Sequence, residues 1–229
     1  MRRQLTFDLP ARPALGRDDF FVSPSNSNAV TTVENWPGWP QGKLALVGPK
    51  GSGKTHLAHV WAAEAGGRVI AAADLAVADI AALGAGGARL AVEDVDRIAG
   101  NPAAEQALFH LHNLVLAEAG VLLLTGTAPP SQWPLSLPDL ASRMQGTSVA
   151  QLAPPDDALL MAVLMKLFAD RQLAVAPPVL EYLVTRMERS FDGAQGLVAA
   201  LDHAALAERR AITRALAAQV LDNGVEGTA

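Results

Sequence analysis

Apolar positions along the chain follow two periods. Between residues 43 and 127, short and nearly unbroken apolar runs (KLALVG, RVIAA, RLAVED, VLLLTGT) read as buried strands. Between them lie longer segments whose apolar residues recur every three or four positions. THLAHVWAAEAGG predicts a helix closed by Gly66 and Gly67. DLAVADIAAL predicts a second helix, and AAEQALFHLHNLVLAEAG a third of about five turns. Strands alternating with helices predict a parallel sheet covered on both faces. Upstream, DDFFVSPSNSNAV gives an apolar triplet and then a Pro-Ser-Asn cluster suited to capping a helix start. After residues 148–157 the strand runs stop, and helical periodicity covers 156–171, 178–189, 193–207 and 213–221. Pro154-Pro155 followed by Asp156-Asp157 suits the first of these starts, with acidic residues at the positive end of the helix dipole. The pattern divides the chain into a tail over 1–17, an α/β body over 18–152 and a small all-helical domain over 153–229. Within the tail, Leu5, Phe7 and Leu9 alternate with Thr6 and Asp8, a three-residue apolar stripe between two arginines and two prolines.

Composition narrows the reading. Half of the 229 residues are apolar, enough for a sizeable core, and the alanine-rich, aromatic-poor balance favours helices. A formal net charge of −5 opposes broad charge-driven binding to nucleic acid, which needs an excess of Lys and Arg. Of the four lysines, Lys43, Lys50 and Lys54 lie within twelve residues, which points to a local use of positive charge. Without cysteine there are no disulfides and no thiolate metal sites. The most apolar long stretch, 68–92, is broken by Asp74, Asp79, Arg89 and three glycines, so no membrane span or signal segment is expected. A cytoplasmic location is expected.

The chemistry centres on GPKGSGKT, residues 48–55, which fits G-x-x-x-x-G-K-[ST] between a strand and a helix. Gly48, Gly51 and Gly53, with Pro49, Lys50 and Ser52, let the backbone curl so that successive N–H groups converge at a helix N-terminus. Lys54 is expected to reach the β and γ phosphates, Thr55 to bind magnesium, and His56 to follow in the first helical turn. Such a site needs a carboxylate at a neighbouring strand end, and Glu93 and Asp94 supply it. Glu93 is then the expected second magnesium ligand. Thr125 and Thr127, at the tip of another strand, are candidate sensors of the γ-phosphate. The five histidines lack the spacing of a metal site, since His56 and His59 have no third ligand in view. Taken alone, Arg143 reads as a surface arginine, and the tail stripe fits a docking peptide or a strand folded back on the body equally well.

At this point the chain resembles the AAA+ nucleotide-binding proteins related to the replication initiator DnaA, and within them its Hda-type regulatory inactivators. The resemblance rests on DDFFVSPSNSNAV, LALVGPKGSGKTHLAHVWA, LAVEDVD, LFHLHNLVLAEAGVLLLTGTAPP, LPDLASRM and LAPPDDALLMAVLMKLFADRQL, which together span roughly residues 18–175 in family order. It implies an AAA+ P-loop body with a helical lid. It also implies a tail in which Gln4, Leu5, Phe7 and Leu9 form a clamp-docking motif of the kind Q-L-x-L-x-L. By the same resemblance Arg143, in SR followed by an apolar residue, acts as a finger on ATP held by a neighbouring DnaA. Phe21 and Val22 are then expected to line the adenine pocket. Two departures follow. Glu93 stands where the family places Asp, and Gln195 stands where the lid presents a sensor arginine. Bound ADP or ATP with Mg2+ is therefore expected, ADP above all, together with weak or no hydrolysis by the chain itself. The implied partners are the sliding clamp and DnaA, with DNA met only indirectly and self-association open. Two alternatives are a stand-alone P-loop ATPase or kinase, and a helicase-loader-like DnaA paralogue with no link to the clamp.

Overall fold

The computed structural model describes residues 20–226, with side chains up to residue 222. The apolar stripe of Gln4, Leu5, Phe7 and Leu9 lies outside these residues. Five strands form one parallel sheet: β1 (Lys43–Val47), β2 (Arg68–Ala71), β3 (Arg89–Glu93), β4 (Val121–Gly126) and β5 (Ser148–Gln151). Their order is β2-β3-β4-β1-β5. All five residues of β1 are buried between β4 and β5, as expected for a run without polar alternation.

Alternate residues of the central strands feed two cores. Leu44, Leu46, Ala91 and Leu123 pack beneath α1 (Ser27–Glu34) and α2 (Lys54–Ala65), where Trp39 stacks on Trp61 at 5.5 Å. Leu90, Val92, Leu122 and Leu124 pack on the opposite face with Leu108, Leu111 and Val115 of α4 (Pro102–Ala117) and Leu140 and Met144 of α5 (Pro138–Gln145). A third core belongs to four helices that follow the sheet: α6 (Asp157–Asp170), α7 (Pro177–Val184), α8 (Phe191–Glu208) and α9 (Arg214–Glu226).

The expected helix over 74–83 is two pieces. A 3-10 segment covers Ala72–Val77, and α3 covers Ile80–Gly84. Ala78 is extended, and the Asp79 carboxylate accepts from the Ala82 N–H at 3.1 Å, capping a new start where continuation was expected. β5 and α5 carried no periodic signal. β5 buries only Ala150, being an edge strand held by its ladder to β1. α7 also ends earlier than its apolar pattern suggested, at Val184.

Glu105 of α4 fixes the approach to α5. Its buried carboxylate accepts from the N–H groups of Gly100 (2.8 Å), Ser136 (2.9 Å) and Leu137 (2.7 Å), the last being the residue that precedes α5. Burial alone would raise this carboxyl, but the three backbone donors outweigh it and hold the pKa below its ordinary value. A depressed carboxylate contributes stability above its unfolded pKa of about 4.3, and that contribution is lost as pH falls further. Glu105→Gln should therefore lower the melting temperature at pH 7 by several degrees, for a cost of about 1–3 kcal/mol from poorly satisfied donors. The gap to the wild type should narrow in thermal scans near pH 4.

Candidate functional site

The sheet order brings three chemical segments to one edge. β1, β4 and β3 are consecutive neighbours, so the loop after β1, the tip of β4 and the acidic turn after β3 lie side by side. Residues 48–53 form the turn from β1 into α2, and Gly53 takes a left-handed φ of +94° at the helix cap. Lys54 is 8% exposed, and its ammonium donates to the carbonyls of Gly48 (2.8 Å) and Pro49 (2.9 Å). Burial lowers its pKa, Asp94, Asp96 and Asp192 oppose that shift, and Arg97 adds to it. Ser52 is buried with its hydroxyl unpartnered, while Lys50 and Thr55 are exposed.

The acidic turn is built around a strained residue. Asp94 has φ +55°, and its N–H donates to the Thr125 hydroxyl at 3.0 Å. Thr125 is 1% exposed, so its side chain holds the neighbouring backbone rather than facing the loop. The Asp94 carboxylate pairs with Arg97 at 3.4 Å. Glu93 Oε1 is buried without a hydrogen-bond partner. Thr127 is exposed and gives both its N–H (2.8 Å) and its hydroxyl to Asp96 Oδ2, while Asp96 Oδ1 is buried and unpartnered. The sequence reading missed Asp96, although the acidic spacing of EDVD, with Asp96 three residues after Glu93, was a usable signal.

These residues fit a nucleotide phosphate and a magnesium ion. Three buried polar atoms at this edge (Ser52 Oγ, Glu93 Oε1, Asp96 Oδ1) lack partners, beside the N-terminus of α2. Among the described residues no group of three or more His, Asp or Glu side chains could hold a metal by itself. Magnesium would thus be shared with phosphate oxygens, with Thr55 and Glu93 as protein ligands.

The helical unit touches this loop directly. The Phe191 N–H, in the first turn of α8, donates to the Gly51 carbonyl at 2.8 Å. A Cβ on Gly53 would lie 2.7 Å from the Phe191 ring, and one on Gly51 would lie 2.6 Å from Ser190. Gln195, one turn further along α8, is exposed. No local pattern marked Ser190 and Phe191, because the loop they meet lies about 140 residues earlier in the chain.

On the other side, Phe20 is buried edge-on against His56 at 5.0 Å. Phe21 is partly exposed and Val22 is 52% exposed. Asp156 ties this segment to the helices: its carboxylate accepts from the Ser25 N–H (3.2 Å) and from the Leu159 N–H at the start of α6 (2.8 Å).

Arg143 lies elsewhere. Its carbonyl meets the Lys43 ammonium at 2.7 Å, so the last turn of α5 sits beside the first residue of β1, whereas the phosphate loop leaves from the last. The two ends of β1 are about 13 Å apart at the usual strand rise. The Arg143 side chain is exposed, and among the described residues no carboxylate pairs with it.

Comparison with known proteins adds two findings. A family model of the Hda lid domain matches residues 157–221. The fold is similar to domain III of the Thermotoga maritima replication initiation protein DnaA, with TM-score 0.81, 19% identity, and coverage of 94% of this chain and 98% of that one. It is also similar to AMPPCP-bound DnaA from Aquifex aeolicus (TM-score 0.67, 19% identity, 83% of this chain), of which it spans 66%. A Thermotoga maritima RuvB variant aligns with TM-score 0.62 and 19% identity over 85% of this chain and 65% of that one. At such identities these likenesses establish an α/β AAA+ fold. No helix among the described residues is long and apolar enough to cross a membrane.

Gly53→Ala tests how tightly loop and helix are joined. The left-handed φ costs a Cβ about 1–2 kcal/mol, and the Phe191 ring has to move as well. The expected result is a lower melting temperature and faster hydrogen exchange in the first turn of α8, with exchange in α4 unchanged.

Proposed function

We propose that the chain is a DnaA-related AAA+ protein close to Hda, and that it promotes ATP hydrolysis by DnaA while docked on the DNA sliding clamp. The observation that carries this reading is the position of Arg143. It stands exposed at the opposite end of β1 from the chain's own phosphate loop, free of any carboxylate among the described residues. An arginine so placed is poorly sited for phosphates bound at residues 48–55 of its own chain and well sited for those of a neighbour. A finger supplied in trans stabilises charge on the transferring phosphoryl group and accelerates hydrolysis by about 10³–10⁵ where it acts.

In this reading residues 48–55 hold an adenine nucleotide, preferably ADP, with Mg2+ shared between Thr55 and Glu93. Phe21 and Val22 flank the base, beside the Phe20–His56 contact. The nucleotide is structural more than reactive. Asp94, the candidate base for water, is engaged by Arg97, and Gln195 brings no charge to the phosphates. Thr127, held by Asp96, would be the residue that senses the γ-phosphate, and Thr125 supports the Asp94 backbone. Gln4, Leu5, Phe7 and Leu9 would anchor the tail in a clamp pocket, as extended peptides use alternate side chains.

Single-turnover hydrolysis of ATP preloaded on DnaA, with clamp-loaded DNA, tests the finger. Wild type should accelerate the reaction, and Arg143→Ala should lose about 100-fold or more of that acceleration while still binding nucleotide. Equal acceleration by both would overturn the trans-acting role. For the tail, Gln4→Ala/Leu5→Ala should abolish retention of the chain on immobilised clamp. Undiminished retention would sink the docking assignment and leave the finger assay unaffected.

A further inference from the structure

Lys43 is a lysine in an unusual place. It opens β1, is 2% exposed, and among the described residues pairs with no carboxylate. Burying an ammonium without a counter-ion is unfavourable for folding, and a methionine would fill the same space without that penalty. Its two partners explain the placement. The ammonium donates to the Arg143 carbonyl at 2.7 Å and lies 3.4 Å from Nε2 of the buried His112 on α4. Nδ1 of that ring faces Asn113 Oδ1 at 3.3 Å, which suits the tautomer that leaves Nε2 free to accept. Burial lowers the pKa of His112, the Asn113 contact opposes it, and the charges of Lys43 and Arg143 lower it further, and the net lowering suits a neutral acceptor.

We propose that Lys43 is the positioning residue of Arg143: by holding the Arg143 carbonyl against β1 and His112, it fixes the last turn of α5 so that the guanidinium projects outward. This rests on the finger reading above and deepens it. α5 is then strapped at both ends to the same helix. Glu105 of α4 accepts from the Leu137 N–H just before α5 starts, and His112 of α4 backs Lys43 where α5 ends. Glu105 and His112 are seven residues apart, about two turns, so both fall on one face of α4. Thr147 adds a weaker hold on the same carbonyl at 3.4 Å. A helix of eight residues has little stability of its own, so the direction of its last side chains depends on these straps.

The test is Lys43→Met, compared with wild type and Arg143→Ala in the same single-turnover assay, with chain concentration varied. A positioning role predicts a maximal stimulated rate about 10- to 100-fold lower, because a misplacement near 1 Å is enough for such losses. The half-saturating concentration should change by less than about two-fold, since binding groups are untouched. Amide exchange at residues 144–147 should rise about ten-fold, as expected for loss of one hydrogen bond. If Lys43→Met fails to fold, His112→Leu, which leaves the ammonium with one partner, should lower the maximal rate in the same direction by about three-fold. A folded Lys43→Met or His112→Leu chain that stimulates like wild type, while Arg143→Ala does not, would overturn the positioning role and leave the finger intact. Full stimulation by Arg143→Ala would remove the finger, and the positioning role with it.

Discussion

The arrangement depends first on β1 being a short, fully buried strand laddered on both sides. Hydrogen bonds to β4 and β5 fix its register, pairing Val47 with both Gly126 and Gln151. That register sets where the chain leaves the sheet, and so where the phosphate loop starts. It equally fixes Lys43 at the opposite end, beside the last turn of α5. A slip of one residue would turn Lys43 from the α4–α5 face to the α1–α2 face, and would shift the Gly48 turn relative to Glu93 and Thr125. One ladder therefore positions both the phosphate loop and the last turn of α5.

The second constraint is the contact between the helical unit and the loop. Phe191 bonds to the Gly51 carbonyl, and its ring covers the face of Gly53. Asp156 joins the segment before α1 to the start of α6 through Ser25 and Leu159. Burial would raise the Asp156 carboxyl, but the donors at Leu159, Ser23 and Ser25 prevail and keep its pKa low, so it accepts as a carboxylate. The helical unit thus meets the body on two sides, at Gly51 and Gly53 through the start of α8 and at Ser25 through the residue that caps α6. Any group filling the loop must be accommodated by both contacts, which supplies a physical route from occupancy to lid angle.

Much of this was legible in the sequence because it is local. The strands β1 to β4, the glycine-rich loop and the start of α6 each announce themselves within a few residues, through apolar runs, the phosphate-loop spacing and the Pro-Pro-Asp-Asp start. The break at Asp79 was legible too, as a capping residue, but the apolar period on either side concealed it. What could not be read is whatever depends on distant pairing. β5 is a strand because β1 is beside it, and its own residues bury only Ala150. Thr125 and Thr127 look alike at a strand tip, yet one is enclosed under Asp94 and the other is bound to Asp96. Glu105 and His112 look like ordinary polar residues in sequence, Lys43 looks like one more member of the lysine cluster, and only the packing of α4, α5 and β1 shows that all three converge on one short helix.

That convergence also bears on why a chain with a phosphate loop would serve as an activator. Hydrolysis in place needs a free base, a charge over the phosphates and a mobile lid. Here Asp94 is paired with Arg97, the lid offers Gln195, and Phe191 is bonded to the loop backbone. In the proposed function each of these favours keeping a nucleotide over turning it over. At the other end of β1 the investment is opposite. A buried lysine, a buried histidine and a buried glutamate, all unfavourable to enclose without partners, are arranged around α5. In the proposed function this division is coherent. The nucleotide stabilises the body–lid arrangement that presents α5, and the reactive chemistry takes place on a phosphate that belongs to another chain.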